Sequence, residues 1–174
     1  MISNSSPLII FGKLNHIDLL EKLFQHIDIV QEVYQEVVVQ GHAFPDSHSI
    51  QEAIDRGVIL VCSLEDAYAI QAKKLITRYA IDMGEAATIA LALQQNVQEL
   101  IIDEISARFV AEAHNLKPFG SLRVLALAFK KDLITKPQLE EIVAHMLQSK
   151  YRMSASVLFE FWRGIQEIEK QKRP

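Results

Sequence analysis

The sequence predicts an α/β domain with a central parallel sheet of four or five strands and helices on both faces. Three observations predict it. Short apolar runs, Ile27-Asp28-Ile29-Val30, Val58 to Cys62 and Leu100-Ile101-Ile102, are of strand length. Segments of helical periodicity separate them. Strands alternating with helices read as βαβ units, whose parallel sheet is buried on both faces.

The elements follow in order. Met1-Ile2-Ser3 is a short buried strand end. Ser6-Pro7 reads as a cap and first position of a helix over Pro7–Leu14. Asp18–Gln25 is a second helix, with Leu19, Leu20, Leu23 and Phe24 on one face. Strand Ile27–Val30 leads into a helix over Gln31–Gln40, ended by Gly41. His42–Ser49 is expected to be a polar loop containing Pro45, and Ser49–Arg56 a short helix. After strand Val58–Cys62 come helices over Glu65–Tyr79 and Gly84–Gln95. The second is dense in alanine (Ala86, Ala87, Ala90, Ala92), which suits close packing on a sheet. Strand Leu100–Ile102 precedes a helix over Ile105–His114. Lys117–Gly120 is a brief extended segment and turn, and helices over Ser121–Lys131, Lys136–Gln148 and Ser154–Glu169 complete the pattern.

Composition bounds the function. With 174 residues, 49% of them hydrophobic, the chain has enough apolar mass for a packed core and is not of the disordered class. Its net charge of −4 excludes a bulk polycation, so nucleic acid would have to meet a local basic patch. The single cysteine, Cys62, excludes an internal disulfide and is expected to be a buried core thiol. The first residues lack a secretory leader pattern and no apolar run approaches ~18 residues. A cytoplasmic protein with no membrane contact is therefore expected.

In open parallel sheets, ligands bind beyond the carboxyl ends of the strands, where strand order reverses. Asn4-Ser5-Ser6 follows the first strand and Asp103-Glu104 follows the strand at Leu100–Ile102. Glu36 lies in the helix after the second strand, and Glu85 begins the alanine-rich helix. Carboxylates from distant segments thus fall on one rim. Such a set suits Mg²⁺ or Mn²⁺ and can activate water against a phosphodiester. Each acid also has a plainer role: Glu85 complements a helix dipole, Asp103 is an N-cap, and Glu36 is a surface glutamate.

Several segments taken together resemble a known family. Ser3-Asn4-Ser5-Ser6-Pro7-Leu8-Ile9, Val33-Tyr34-Gln35-Glu36-Val37, Gly84-Glu85-Ala86-Ala87-Thr88-Ile89-Ala90-Leu91-Ala92, Ile101-Ile102-Asp103-Glu104-Ile105-Ser106-Ala107-Arg108 and Phe119-Gly120-Ser121-Leu122-Arg123-Val124-Leu125 occur in this order. The set resembles the PIN-like domains of unknown function related to toxin nucleases. The resemblance covers about residues 1–160, and implies a three-layer α/β/α PIN-like domain over residues 1–165 with a charged tail at 166–174. It implies Mg²⁺- or Mn²⁺-dependent cleavage of RNA, as the toxin of a toxin–antitoxin pair. Asn4, Glu36, Glu85 and Asp103 then take the catalytic positions. Glu36, Glu85, Asp103 and Glu104 are the implied metal ligands, with Ser6 and Arg108 beside them for substrate. The implied partners are RNA, a small antitoxin protein and a second copy of the chain as a homodimer. Two residues depart from the pattern. Asn4 stands where active members carry Asp, and Glu104 where they carry Asp. The missing charge at position 4 keeps a second reading open: a PIN-fold protein that binds RNA or protein without cutting.

Other groupings carry less. Arg108 lies four residues after Glu104, so the two can pair on a helix face, or Arg108 can meet a substrate phosphate. Lys73, Lys74, Arg78, Lys117, Arg123, Lys130 and Lys131 are candidates for a phosphate-tracking patch. His42, Asp46 and His48 share a loop but lack a further zinc ligand at standard spacing. Val157, Leu158, Phe161, Trp162 and Ile165 form an apolar stripe on the last helix, read as core, with an oligomer or antitoxin surface as the rival.

Overall fold

The computed structural model describes residues 1–149, 151 and 153–172. Its chain divides into two compact units, Met1–Ser121 and Leu122–Pro174.

The first unit holds a five-stranded, all-parallel sheet in the order β3-β2-β1-β4-β5. The strands are β1 (Ile2–Ser3), β2 (Ile27–Val30), β3 (Ile59–Cys62), β4 (Glu99–Ile101) and β5 (Lys117–Phe119). Helices α1 (Ser5–Lys13), α2 (Ile17–Phe24), α3 (Gln31–Tyr34) and α4 (Pro45–Asp55) connect β1 to β3. Helices α5 (Asp66–Tyr79) and α6 (Met83–Gln94) then return the chain to β4, and α7 (Ile105–Ala113) leads to β5. The chain thus steps one way from β1 to β3 and then back past β1. With right-handed crossovers, the reversal puts the two helix sets on opposite faces. The packing agrees: α1 lies against α4, and α5 against α6. The result is the three-layer α/β/α arrangement expected from the sequence.

Why these residues take these places follows from burial. All four residues of β2 are buried, as the middle of a parallel sheet requires. Its one charge, Asp28, faces the N-terminal ammonium at 4.0 Å and His26 Nε2 at 3.8 Å. In α6, Ala86, Ala87, Ile89, Ala90, Leu91 and Ala92 are all fully buried, so the small side chains let the helix lie close among its neighbours.

Four expectations need correction. Pro45 is the first residue of α4 rather than part of a loop, because its fixed φ and missing N–H suit a helix start. Gln31–Gln40 is not one α-helix: α3 gives way to a π-helical turn over Gln35–Gln40. Ser6 does not cap α1; Asn4, in extended backbone, precedes the helix. Cys62 is only half-buried, because β3 is an edge strand on which Leu60 and Val61 are also exposed.

The second unit contains α8, which opens at Ser121 and ends at Lys130, α9 (Lys136–Gln148) and α10 (Ala155–Lys172). Thr135 caps α9 in a reciprocal arrangement with Gln138. Lys172 reaches Asp132 at 2.6 Å and Lys136 reaches Glu169 at 2.8 Å. Helix therefore continues through Lys170-Gln171-Lys172, where a solvated tail was expected; Arg173 and Pro174 of that tail lie outside the described residues. Of the α10 stripe, Ile165 is buried, Leu158, Phe161 and Trp162 are half-buried, and Val157 is exposed, so the stripe is core only in part. Among the described residues, no helix is long and apolar enough to cross a membrane.

Candidate active site

Strand order reverses at β1, which pairs with β2 on one side and β4 on the other. The segments leaving β1 and β4 therefore meet at the sheet's carboxyl edge. Residues 4–6 act there as a short polar comb. Asn4 Nδ2 donates to Glu104 Oε2 at 2.6 Å, and the Ser6 hydroxyl donates to Glu104 Oε1. The hydroxyl between them, on Ser5, donates to Glu36 Oε2 at 2.6 Å. One tripeptide thereby fixes two carboxylates that are far apart in the chain.

Glu36 sits in the π-helical turn, a geometry that recurs at functional sites. Gly84 faces it: a Cβ at Gly84 would lie 3.5 Å from Glu36 Oε2 and 3.5 Å from Asp82 Oδ1. The start of α6 thus packs at van der Waals distance from Glu36. Asp82 caps α6, accepting from the Glu85 N–H at 2.7 Å while Glu85 Oε2 accepts from the Asp82 N–H at 3.0 Å. Glu85 is buried, with 6% of its surface exposed. Burial pushes its carboxyl above the ordinary range, and the charges of Asp82, Glu104 and Glu36 push it further, against a lowering backbone hydrogen bond at Asp82. Like charges thus gather around one buried acid. Beside them the Asn4 carbonyl oxygen, Oδ1, is buried without a hydrogen-bond partner, which costs free energy unless something meets it.

Asp103 stands apart. Its Oδ1 accepts the Ser121 N–H at 2.8 Å and its Oδ2 accepts the Ser121 hydroxyl at 2.6 Å. Arg108 Nη2 lies 3.7 Å from Oδ1, and Arg108 Nε donates to the Ile102 carbonyl at 2.7 Å. Arg108 is therefore turned to Asp103, not to Glu104 as the helical spacing suggested. Gly120 makes the room. A Cβ there would run into the Arg108 guanidinium and lie 2.6 Å from Asp103 Oδ1.

The structure thus brings Asn4, Ser6, Glu36, Glu85 and Glu104 together. It gives Asp103 and Arg108 a tight local network of their own. Sequence reading missed Ser5, Asp82, Gly84, Gly120 and Ser121. Asp82-Met83-Gly84-Glu85 carries the reciprocal capping spacing, so Asp82 was findable. The two glycines and Ser121 had no such signal. Among the described residues, no three His, Cys, Asp or Glu side chains form a group able to hold a metal ion by themselves. The histidine loop supplies none either: His42 Nδ1 lies 3.0 Å from the Val39 carbonyl and His48 pairs with Glu52 at 3.2 Å. Of the basic candidates, Lys73, Lys74 and Arg78 lie on α5, while Arg123, Lys130 and Lys131 belong to the second unit.

A parallel sheet with an acidic edge at its point of strand reversal defines an α/β protein with a candidate ligand site where open sheets of this kind bind ligands. Over residues 1–167 the chain matches the DUF3368 family, described as a PIN domain, and it belongs to that family. PIN domains are generally nucleases and usually use divalent metal ions. No curated protein matches the chain.

Proposed function

We propose that this protein is a Mg²⁺- or Mn²⁺-dependent endoribonuclease. One observation carries the reading: Glu85 is buried within reach of the charges of Asp82, Glu104 and Glu36, beside an unpartnered Asn4 carbonyl oxygen. The donor chemistry suits a hard cation. Mg²⁺ typically takes one or two carboxylates and fills its remaining positions with water and substrate phosphate, so a cage of three acids is not required. Asn4 Oδ1, Glu36, Glu85 and Glu104 are the groups that would hold it.

When bound, the ion supplies Lewis-acid stabilisation of the phosphodiester's charge and a more acidic water. The protein's own groups do the rest. Ser5 holds Glu36 and the pair Asn4 and Ser6 holds Glu104, so neither carboxylate swings freely. Glu85, packed into α6 in a reciprocal cap with Asp82, is held in place at the buried end of the site. Asp103 is assigned a positioning role, holding Arg108 where its remaining N–H groups face a substrate phosphate. RNA is the substrate in this reading. A small antitoxin protein and a second copy of the chain are the partners it carries, on the strength of the likeness to toxin nucleases.

The second reading, an RNA-binding PIN domain without cleavage, is favoured by Asn4, whose amide brings no charge and is spent on Glu104. A cleavage assay with RNA and Mn²⁺ separates the two. The protein is compared with Glu85→Gln and with the Glu85→Gln/Asp103→Asn double variant. The ribonuclease reading expects strong loss of cleavage in both. Equal cleavage by all three removes the assigned site, and no cleavage by any of them, with no Mn²⁺ binding, favours the second reading.

A further inference from the structure

Away from the carboxylates, the first unit carries a cavity of about 390 Å³ lined by Gln71, Lys74, Leu75, Arg78, Tyr79 and His114. Gln71, Lys74, Leu75 and Arg78 form one stripe of α5, and His114 follows the end of α7. Two features mark this stripe. Neither Lys74 nor Arg78 has a carboxylate partner among the described residues; Lys13, Lys73, Lys117, Lys130 and Lys131 share that state but do not line the cavity. In a chain of net charge −4, two unpaired cations beside one cavity form a local positive site. The Arg78 guanidinium also lies 5.2 Å from the ring centre of Tyr79, a cation–π contact that orients it.

We propose that this cavity is an anion subsite that takes a phosphate group of the RNA strand, with Lys74 and Arg78 as the contacts and His114 and Gln71 as further polar neighbours. The proposal rests on the ribonuclease reading for the strand's identity, but not for the site's chemistry. Its place in the chain fits. Arg78 is four residues before Asp82. Four residues span at most about 14 Å, within reach of a strand a few nucleotides long. A phosphate held here would fix the strand's register while another phosphodiester lies at the carboxylates.

Lys13, at the end of α1, provides an internal control. It is exposed and does not line the cavity. Binding of a fluorescent single-stranded RNA of about ten nucleotides is measured by anisotropy in EDTA, so that cleavage plays no part. Lys74→Ala and Arg78→Ala are each expected to weaken binding about fivefold and to lower the salt slope by roughly 0.7 to 1, the signature of one lost phosphate contact. Lys13→Ala should leave both unchanged, and Arg78→Lys should retain most of the binding. Inorganic phosphate alone should shift the His114 ring signals in an NMR titration if a free phosphate suffices; shifts only with RNA assign the site to the strand. Equal weakening by Lys13→Ala and Lys74→Ala, or no weakening by either cavity variant, overturns the proposal. Loss of metal-dependent cleavage with RNA binding intact would instead bear on the ribonuclease reading alone.

Discussion

Asp103 and Glu104 are neighbours in the chain and opposites in use. Asp103 has its oxygens taken by the Ser121 N–H and hydroxyl, with Arg108 alongside. Glu104 is held by Asn4 and Ser6 and adds its charge to the field that raises Glu85. One half of the acidic rim is neutralised and closed, and the other is left with excess negative charge and an unpartnered carbonyl. The difference teaches that acid count is a poor guide to metal capacity. Both acids accept two hydrogen bonds, so what matters is which carboxylate the fold has also satisfied with a cation.

The largest expected effect lies on the unsatisfied half. Glu85→Gln should lower metal-dependent RNA cleavage by roughly 100-fold or more, read from initial rates under saturating Mn²⁺. If it cleaves normally while Asp103→Asn does not, the comparison is reversed. The next is on the closed half. Arg108→Ala removes the guanidinium beside Asp103 and the hydrogen bond to the Ile102 carbonyl, and should cost about 1 kcal/mol in a urea titration, with Mn²⁺ affinity unchanged. Gly120→Ala tests the same half by crowding and should cost about 1–3 kcal/mol, since both atoms in its way belong to a fixed pair. Asn4→Asp sharpens the contrast. It adds charge to the open half and removes the donor to Glu104, so Mn²⁺ affinity should rise about tenfold by calorimetry while metal-free stability falls by about 1 kcal/mol. The smallest effect is at Cys62. Burial, and then the charge of Asp28, push its thiol up. The thiolate therefore forms later as pH rises, and iodoacetamide labelling should reach half-maximal rate above the pH at which an unhindered cysteine does.

Much of this architecture could be read without coordinates. Ile27–Val30 was legible to the residue because a short β-branched run, apolar but for Asp28 and bounded by helices, has one good solution. The positions of Asn4, Glu36, Glu85 and Glu104 followed from strand ends and sequence order. What they do followed only partly. The π-helical turn that carries Glu36 has no hydrophobic period to betray it. The local network of Asp103 was not legible because its partner, Ser121, lies 18 residues away, and because Gly120 matters through the side chain it lacks. The start of α4 was misread although Pro45 announced it, since the polar residues around it outweighed a local signal that proved decisive.

The hydrogen bond from Asn4 to Glu104 joins positions 100 residues apart. It belongs to the pairing of β1 with β4, the connection of longest loop in the sheet. Contacts of such separation are slow to form, because chain entropy must be spent before they reward it. During synthesis the amino-terminal comb waits, without its partner, until residue 104 has been made and has left the ribosome. A nascent or partly folded chain therefore has no assembled acidic edge. The order in which the strands sit delays activity until the first unit is complete, a built-in safeguard for a protein whose proposed substrate surrounds it as it is made.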